Sequence, residues 1–380
     1  MLFNQIIGQE HIKSHLQKSA ENGRIPHAQL FVGKEGSGML PMAIAYAQFL
    51  LCNFSKDSEI CHLKCNKLQH PDLHFAFPVT TNDTVKKHPV SNLFLEEWRQ
   101  FIQDQPYGSL FNWLQHIGVE NKQGLINVDE AEDIVKKLKL KSFDGGFKVM
   151  IIWMAEKMNI AAANKLLKLI EEPPEKTVFL LITENEGQII NTIKSRCQAL
   201  HFPALSEQDI ANTLVVNHQV EDKKAANIAH QSEGNLNKAL HLLHNDASDL
   251  VFEEWFIAWI RTAFKAKGNA TVVQQLVSWS EIISKTGRET QKRFLEYCLQ
   301  FFRQALLLNY KSDALVFMET KTNFQLSKFA PFVHSENILD IEKELSEAIY
   351  HIERNGNAKI ILLDLSMKLT RFLHKKEEKV

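Results

Sequence analysis

The sequence predicts an α/β fold, a parallel sheet with helices around it, followed by a C-terminal third that is all helical. Three observations carry this. Val149-Met150-Ile151-Ile152 and Val178-Phe179-Leu180-Leu181-Ile182-Thr183 are short β-rich runs on either side of a helical pattern over 161–172, as in a strand, a crossover helix and a parallel strand. Upstream, Leu30-Phe31-Val32 runs into Gly33-Lys34-Glu35-Gly36-Ser37-Gly38, which has the glycine frame of a phosphate loop. Beyond Ala247, apolar residues recur only at helical spacing.

Composition narrows the class. A chain of 380 residues that is 44% hydrophobic can form two or three domains with ordinary cores. Lys and Arg number 44 against 45 Asp and Glu, so no whole-chain field draws it to nucleic acid, and any such contact is local or shared with partners. No uninterrupted apolar stretch nears the ~20 residues of a membrane span, and the N-terminus lacks a basic region with an apolar core. A cytoplasmic protein is expected. Five cysteines, three of them clustered, fit metal or free thiols in a reducing compartment better than disulfides.

In chain order, Ile12, Leu16 and Ala20 predict an amphipathic first helix ending near Gly23. Residues 42–51 predict a second helix, apolar on more than one face and therefore buried, with Pro41 near its start. Between them lies the phosphate loop, in which the position of the phosphate-binding Lys is Met39 and that of the Mg²⁺-binding Ser or Thr is Leu40. The frame is kept either because strand and helix need this tight turn or because free N–H groups still hold an anion.

Cys52, Cys61 and Cys65 follow within fourteen residues. Zinc would need a fourth ligand, and His62 and His70 are candidates. Residues 76–125 carry Trp98, Phe101, Tyr107, Phe111, Trp113 and Leu114, either a partner-facing patch or the packing of a small lid. A helix through Ile126, Val128, Ala131, Ile134, Val135, Leu138 and Leu140 ends among Lys136, Lys137, Lys139 and Lys141, where the helix dipole favours cations; contact with a DNA backbone is the alternative. Asp144-Gly145-Gly146 turns the chain into the central strand.

After that strand, a nucleotide-hydrolysing sheet would carry Asp and Glu, but this chain has Trp153 and Met154. An indole and a thioether cannot hold a hard cation. Two motifs have lost their charged members and kept their frames, which predicts an ATPase fold without ATPase chemistry and no cofactor for catalysis. The helix of 161–172 stops at Pro173-Pro174.

The run Asn164-Lys165-Leu166-Leu167-Lys168-Leu169-Ile170-Glu171-Glu172-Pro173-Pro174, the triplet Ser195-Arg196-Cys197, and Ile7-Gly8-Gln9 with Gly23-Arg24-Ile25-Pro26-His27-Ala28 resemble the clamp-loader branch of the AAA+ ATPases, above all its bacterial delta-prime family. The likeness covers most of 1–75 and 125–245 at motif level, and the C-terminal third only in pattern. It implies an AAA+ type core over 1–202, with the cysteine cluster at 52–65 and an insertion at 76–125. A helical lid over 203–246 and a helical collar for oligomerisation over 247–380 would follow.

It also implies a subunit that is not an enzyme by itself. Arg196 would act as an arginine finger on the ATP site of a neighbouring gamma/tau subunit, and gamma/tau and delta subunits would be its partners. The sliding clamp and primer-template DNA would be met through the assembly. An arginine suits that role because a fixed planar cation neutralises charge developing on a transferred phosphoryl group. A surface salt bridge is the simpler account of the same residue. Ser195 and Cys197 would shape the loop, and Glu171-Glu172-Pro173-Pro174 would serve packing and an interface.

The delta-prime family carries a four-cysteine zinc module whose first two cysteines have eight residues between them, as Cys52 and Cys61 do. With only Cys65 following, a weaker structural zinc site and free thiols both remain open. In the lid, Ser206 would cap the first helix, and Asn237 stands where active relatives place a basic residue for phosphate, next to Lys238. Two other classes compete, an active AAA+ ATPase with a divergent site and a zinc-dependent nucleic-acid-binding module. The first is disfavoured by Met39, Leu40, Trp153 and Met154, the second by three cysteines and near-zero net charge.

Overall fold

The structure, a computed structural model, describes residues 2–53, 57–119, 121–143, 146–244, 247–266, 268–312, 315–316, 318, 320 and 322–375. Asp144 and Gly145 of the expected turn, residues 245–246 at the expected end of the lid, and Lys376, Glu377, Glu378 and Lys379 of the polar tail lie outside them. The chain divides into two compact units, Met1–Val119 with Gly124–Leu243, and Glu120–Gln123 with His244–Val380.

The first unit contains α1 (Glu10–Glu21), β1 (Ala28–Gly33), α2 (Met39–Cys52), α3 (Ser58–Asn66), β2 (Leu73–Ala76), α4 (Leu95–Asp104), α5 (Leu110–His116), α6 (Val128–Lys139), β3 (Lys148–Ile152), α7 (Ile160–Glu171), β4 (Thr177–Thr183), α8 (Asn191–Lys194), β5 (Gln198–Phe202), α9 (Glu207–His218), α10 (Asp222–Ser232) and α11 (Leu236–His244). Its five strands form one all-parallel sheet in the order β2-β3-β4-β1-β5. The predicted strand, crossover helix and strand are β3, α7 and β4, paired side by side from Lys148 with Thr177 to Ile152 with Leu181. This is the parallel sheet, with helices around it, that the sequence predicts.

Alternation along the strands explains why these runs are apolar throughout. Val149, Ile151, Val178, Leu180, Ile182 and Phe31 pack into one layer, while Met150, Ile152, Phe179, Leu181, Ala28 and Leu30 pack into the other. Successive side chains point to opposite faces, so a sheet covered by helices on both sides needs apolar residues at every position. The first layer contains α2 and the side chains of α4 and α5; the second contains those of α6 and α7.

The α2 helix is buried on nearly every side, as its composition predicts. In the segment expected to form the lid, Ser206 accepts from the Asp209 N–H at 3.0 Å and so caps α9. Leu205, Ile210, Leu214, Ala225, Ile228, Ala229, Leu236 and Ala239 form its small core.

The second unit contains α12 (Ala247–Lys265), α13 (Ala270–Ser284), α14 (Arg288–Asn309), α15 (Leu326–Phe329), α16 (Ser335–Glu353) and α17 (Ala358–Phe372). Trp259 and Trp279 stack at 4.9 Å in its core, and the Trp259 indole N–H reaches Ser366 Oγ at 2.8 Å, so a buried polar atom gains its partner. Among the described residues no helix is long and apolar enough to cross a membrane.

Candidate functional site

The phosphate-loop frame is intact and its interior is filled. Gly36 and Gly38 have φ of +72° and +92°, a conformation that L side chains rarely adopt. Close neighbours give each a second reason to be glycine. A Cβ at Gly36 would lie 2.0 Å from Asn235 Oδ1 and 2.8 Å from the Leu236 nitrogen; one at Gly38 would lie 3.1 Å from the Tyr107 ring. The lid and the 76–125 segment therefore press directly on the loop.

Polar bonds fasten this contact. Glu35 Oε1 accepts from Asn237 Nδ2 at 2.8 Å and from Asn235 Nδ2 at 3.3 Å. Asn112 Oδ1 accepts from Asn237 at 2.9 Å, and Asn112 Nδ2 pairs with His241 Nε2 at 3.2 Å. Asn112 is itself held by the capping box it forms with Ser109 at the start of α5. The Tyr107 hydroxyl accepts from the Ile7 N–H at 2.9 Å, and burial pushes its pKa up to about 12, so it stays protonated. Gln9 donates to the Ser37 carbonyl at 3.0 Å and the Pro203 carbonyl at 2.8 Å, tying loop to lid entry.

Apolar packing completes the filling. Met39, Leu40, Trp153 and Met154 are buried and share one core with Trp98, Phe101 and Trp113. The Trp153 ring lies 5.1 Å from Trp98 and 6.1 Å from Phe101, and Trp98 stacks on Phe77 at 4.1 Å. Trp113 donates to the Pro78 carbonyl at 2.8 Å. Of the two readings of the 76–125 aromatics, packing on the parent domain holds: Trp98, Phe101, Phe111, Trp113 and Leu114 are all buried. The residues that replace the charged members of both motifs are the surface on which this segment sits.

The Ser-Arg-Cys corner differs. It follows the short α8 beside the edge strand β5. Ser195 is exposed, and the Arg196 side chain is 32% exposed. Its Nη1 donates to the Thr192 carbonyl at 2.8 Å, and its Nη2 lies 3.1 Å from Glu171 Oε2 at the end of α7. Nε is buried without a partner. The surface ion pair weighed against the finger reading is thus present, and one this exposed is worth less than about 1 kcal/mol. Cys197 is half-buried, and burial raises its thiol to about 11, which suits a packing residue and not a nucleophile.

The cysteine cluster departs from the thiol or metal state that composition favoured. Cys52 and Cys61 form a disulfide, because the end of α2 and one face of α3 bring their Cα atoms to 5.4 Å. Cys65 lies 3.7 Å and 4.0 Å from the two sulfurs, and burial raises its thiol to about 12. Among the described residues no histidine or carboxylate joins these three sulfurs, and His62 Nδ1 is engaged by Gln48 at 2.9 Å. As arranged, the donors do not fit a tetrahedral zinc site, which would need the pair reduced and a fourth ligand supplied.

At the end of α6, Lys137 pairs with Asp133 at 2.7 Å while Lys136, Lys139 and Lys141 are exposed. The carbonyls of Leu138 and Leu140 are bound instead by the Lys148 ammonium from β3, at 2.6 and 2.8 Å. Leu140, expected on the apolar face, is the residue after α6 and is exposed. Sequence reasoning did not find the roles of Glu35, Asn112, Asn235 or Lys148, nor the position of Tyr107 against the loop: Glu35 occupies a variable position of the loop frame, and the partners of all five are distant in sequence or set by folding.

A profile of the family described as DNA polymerase III, delta subunit, matches residues 8–206. The chain is 29% identical over 246 residues to the DNA polymerase III subunit tau of Bacillus subtilis, a match spanning 63% of this chain and 37% of that protein. It is 29% identical over 243 residues to the DNA polymerase III subunit delta' of the same organism, spanning 63% of this chain and 60% of the relative. The matches thus span less than two thirds of either relative. A solved DNA polymerase III gamma subunit-related protein from Thermotoga maritima is similar at 14% identity and a TM-score of 0.38, over 94% of this chain and 99% of that one.

Proposed function

The chain belongs to the DNA polymerase III, delta subunit family, and from that premise we propose that it is a clamp-loader subunit that hydrolyses no ATP itself and lends Arg196 to the ATP site of a neighbouring gamma/tau subunit. The observation that carries this reading is the filled cleft. Where a hydrolysing site needs Lys, Ser or Thr and a carboxylate pair, this chain has buried Met39, Leu40, Trp153 and Met154 under Tyr107 and the lid. The only carboxylate in the loop, Glu35, repels a polyphosphate and is already bonded to Asn237. Arg196, by contrast, is at the surface with N–H groups to spare.

In this role the chain completes a ring with gamma/tau and delta subunits that loads a sliding clamp on primer-template DNA. The exposed Ile282, Leu339 and Ile360 of the second unit are candidate contacts for that assembly.

The test is ATP turnover by the assembly reconstituted with gamma/tau and delta. Arg196→Ala is expected to leave assembly intact and to slow the adjoining site about 10³-fold or more, the range of arginine fingers supplied in trans. Wild-type turnover in that variant would remove the finger. Micromolar Mg-ATP affinity of the isolated chain would remove the inactive cleft.

A further inference from the structure

The Glu171-Glu172-Pro173-Pro174 run has no part in the reading above beyond packing, yet it lies against Arg196. Pro173 and Pro174 forbid α7 to continue, so its last residue, Glu171, is held at a fixed helix end. There its carboxylate lies 3.1 Å from Arg196 Nη2. The unpaired carbonyls at the C-terminal end of α7 carry partial negative charge that also favours a cation. From the other side the Thr192 carbonyl takes Nη1 at 2.8 Å.

We infer that Glu171 is a positioning residue for Arg196, holding the guanidinium in the pose in which it meets an anion on the adjoining subunit. The inference rests on the finger reading. A free arginine side chain has many rotamers and loses that freedom when fixed on a phosphoryl group. A guanidinium already clamped by one carboxylate and one carbonyl has lost it beforehand. Five N–H donors less the two bonds described leave three, the buried Nε–H and one N–H on each of Nη1 and Nη2, and the last two are uncommitted among the described residues. Those two suit a planar, bidentate approach to a phosphate. Glu171 is itself more than half exposed, so its replacement leaves the fold undisturbed.

The experiment measures kcat and KM for ATP in the complete assembly carrying wild type, Glu171→Ala, Glu171→Asp, Arg196→Ala and the double variant. Glu171→Ala is expected to lower kcat about tenfold at unchanged KM, because a misplaced catalytic group costs rate and not substrate binding. Glu171→Asp should recover part of that loss, and the double variant should be no slower than Arg196→Ala alone. Wild-type kcat in Glu171→Ala, with Arg196→Ala slow, overturns the positioning role and leaves the finger standing. A double variant slower than Arg196→Ala alone shows Glu171 acting by another route and also overturns it. Wild-type kcat in Arg196→Ala overturns the finger and this inference with it.

Discussion

The phosphate loop and the Ser-Arg-Cys corner sit on the same sheet and have opposite characters. The loop end of β1 and α2 is covered by the lid and by the 76–125 segment, with Met39, Leu40, Trp153 and Met154 buried in an aromatic core. The corner beside β5 is open, charged and held by only a few polar bonds. At the loop, side chains of this chain stand where phosphate and metal chemistry would need room. The corner leaves the Arg196 guanidinium partly exposed.

The largest effect is expected where the loop side is filled. Trp153→Asp restores a carboxylate to the end of β3 but removes a ring packed on Trp98 and Phe101 and buries a charge with no partner. Urea titration should show a loss of roughly 3–5 kcal/mol, a large share of the ~5–15 kcal/mol that holds a typical domain. A loss below about 1 kcal/mol would mean the cleft is not filled as described.

A smaller effect tests how the inserted segment is anchored. Fully buried Glu130 accepts from the Ser91 N–H, and burial raises its carboxyl to about 7. Because its folded pKa is above its unfolded value, this group's contribution is complete below about pH 4.5 and is lost as pH rises through 7. Wild type should therefore lose about 2 kcal/mol from this group between pH 5 and 8, and Glu130→Gln should flatten that part of the profile in thermal melts. An unchanged slope would place the carboxyl in water.

The smallest effect is expected at the corner. Arg196→Ala in the isolated chain should change unfolding free energy by less than about 1 kcal/mol, since it removes one half-exposed ion pair and one surface hydrogen bond. A loss of several kcal/mol would make Arg196 a structural residue and erase the contrast with the loop.

Much of this was legible in the sequence because it follows from local chemistry. The period of apolar residues identified β3, α7 and β4 and the helices of the C-terminal third, and Pro173-Pro174 set the end of α7. The absence of Lys, Ser or Thr and carboxylates at Met39, Leu40, Trp153 and Met154 could be read from motif spacing, while Arg196 was singled out by the family resemblance of its Ser-Arg-Cys triplet. What occupies the cleft could not. Glu35 meets Asn237 across 202 residues of chain, Tyr107 comes to rest on Gly38, and Glu171 meets Arg196 from another helix.

The cysteines show the same division. Their spacing admitted zinc or free thiols, and the approach of α2 and α3 paired Cys52 with Cys61. Sequence by itself determined the elements and the motif positions that carry no charged side chain, because periodicity, turn residues and motif positions act over a few residues. Tertiary structure alone decided what fills the cleft and what steadies the arginine, because side chains far apart in sequence leave no local pattern until folding brings them within hydrogen-bond reach.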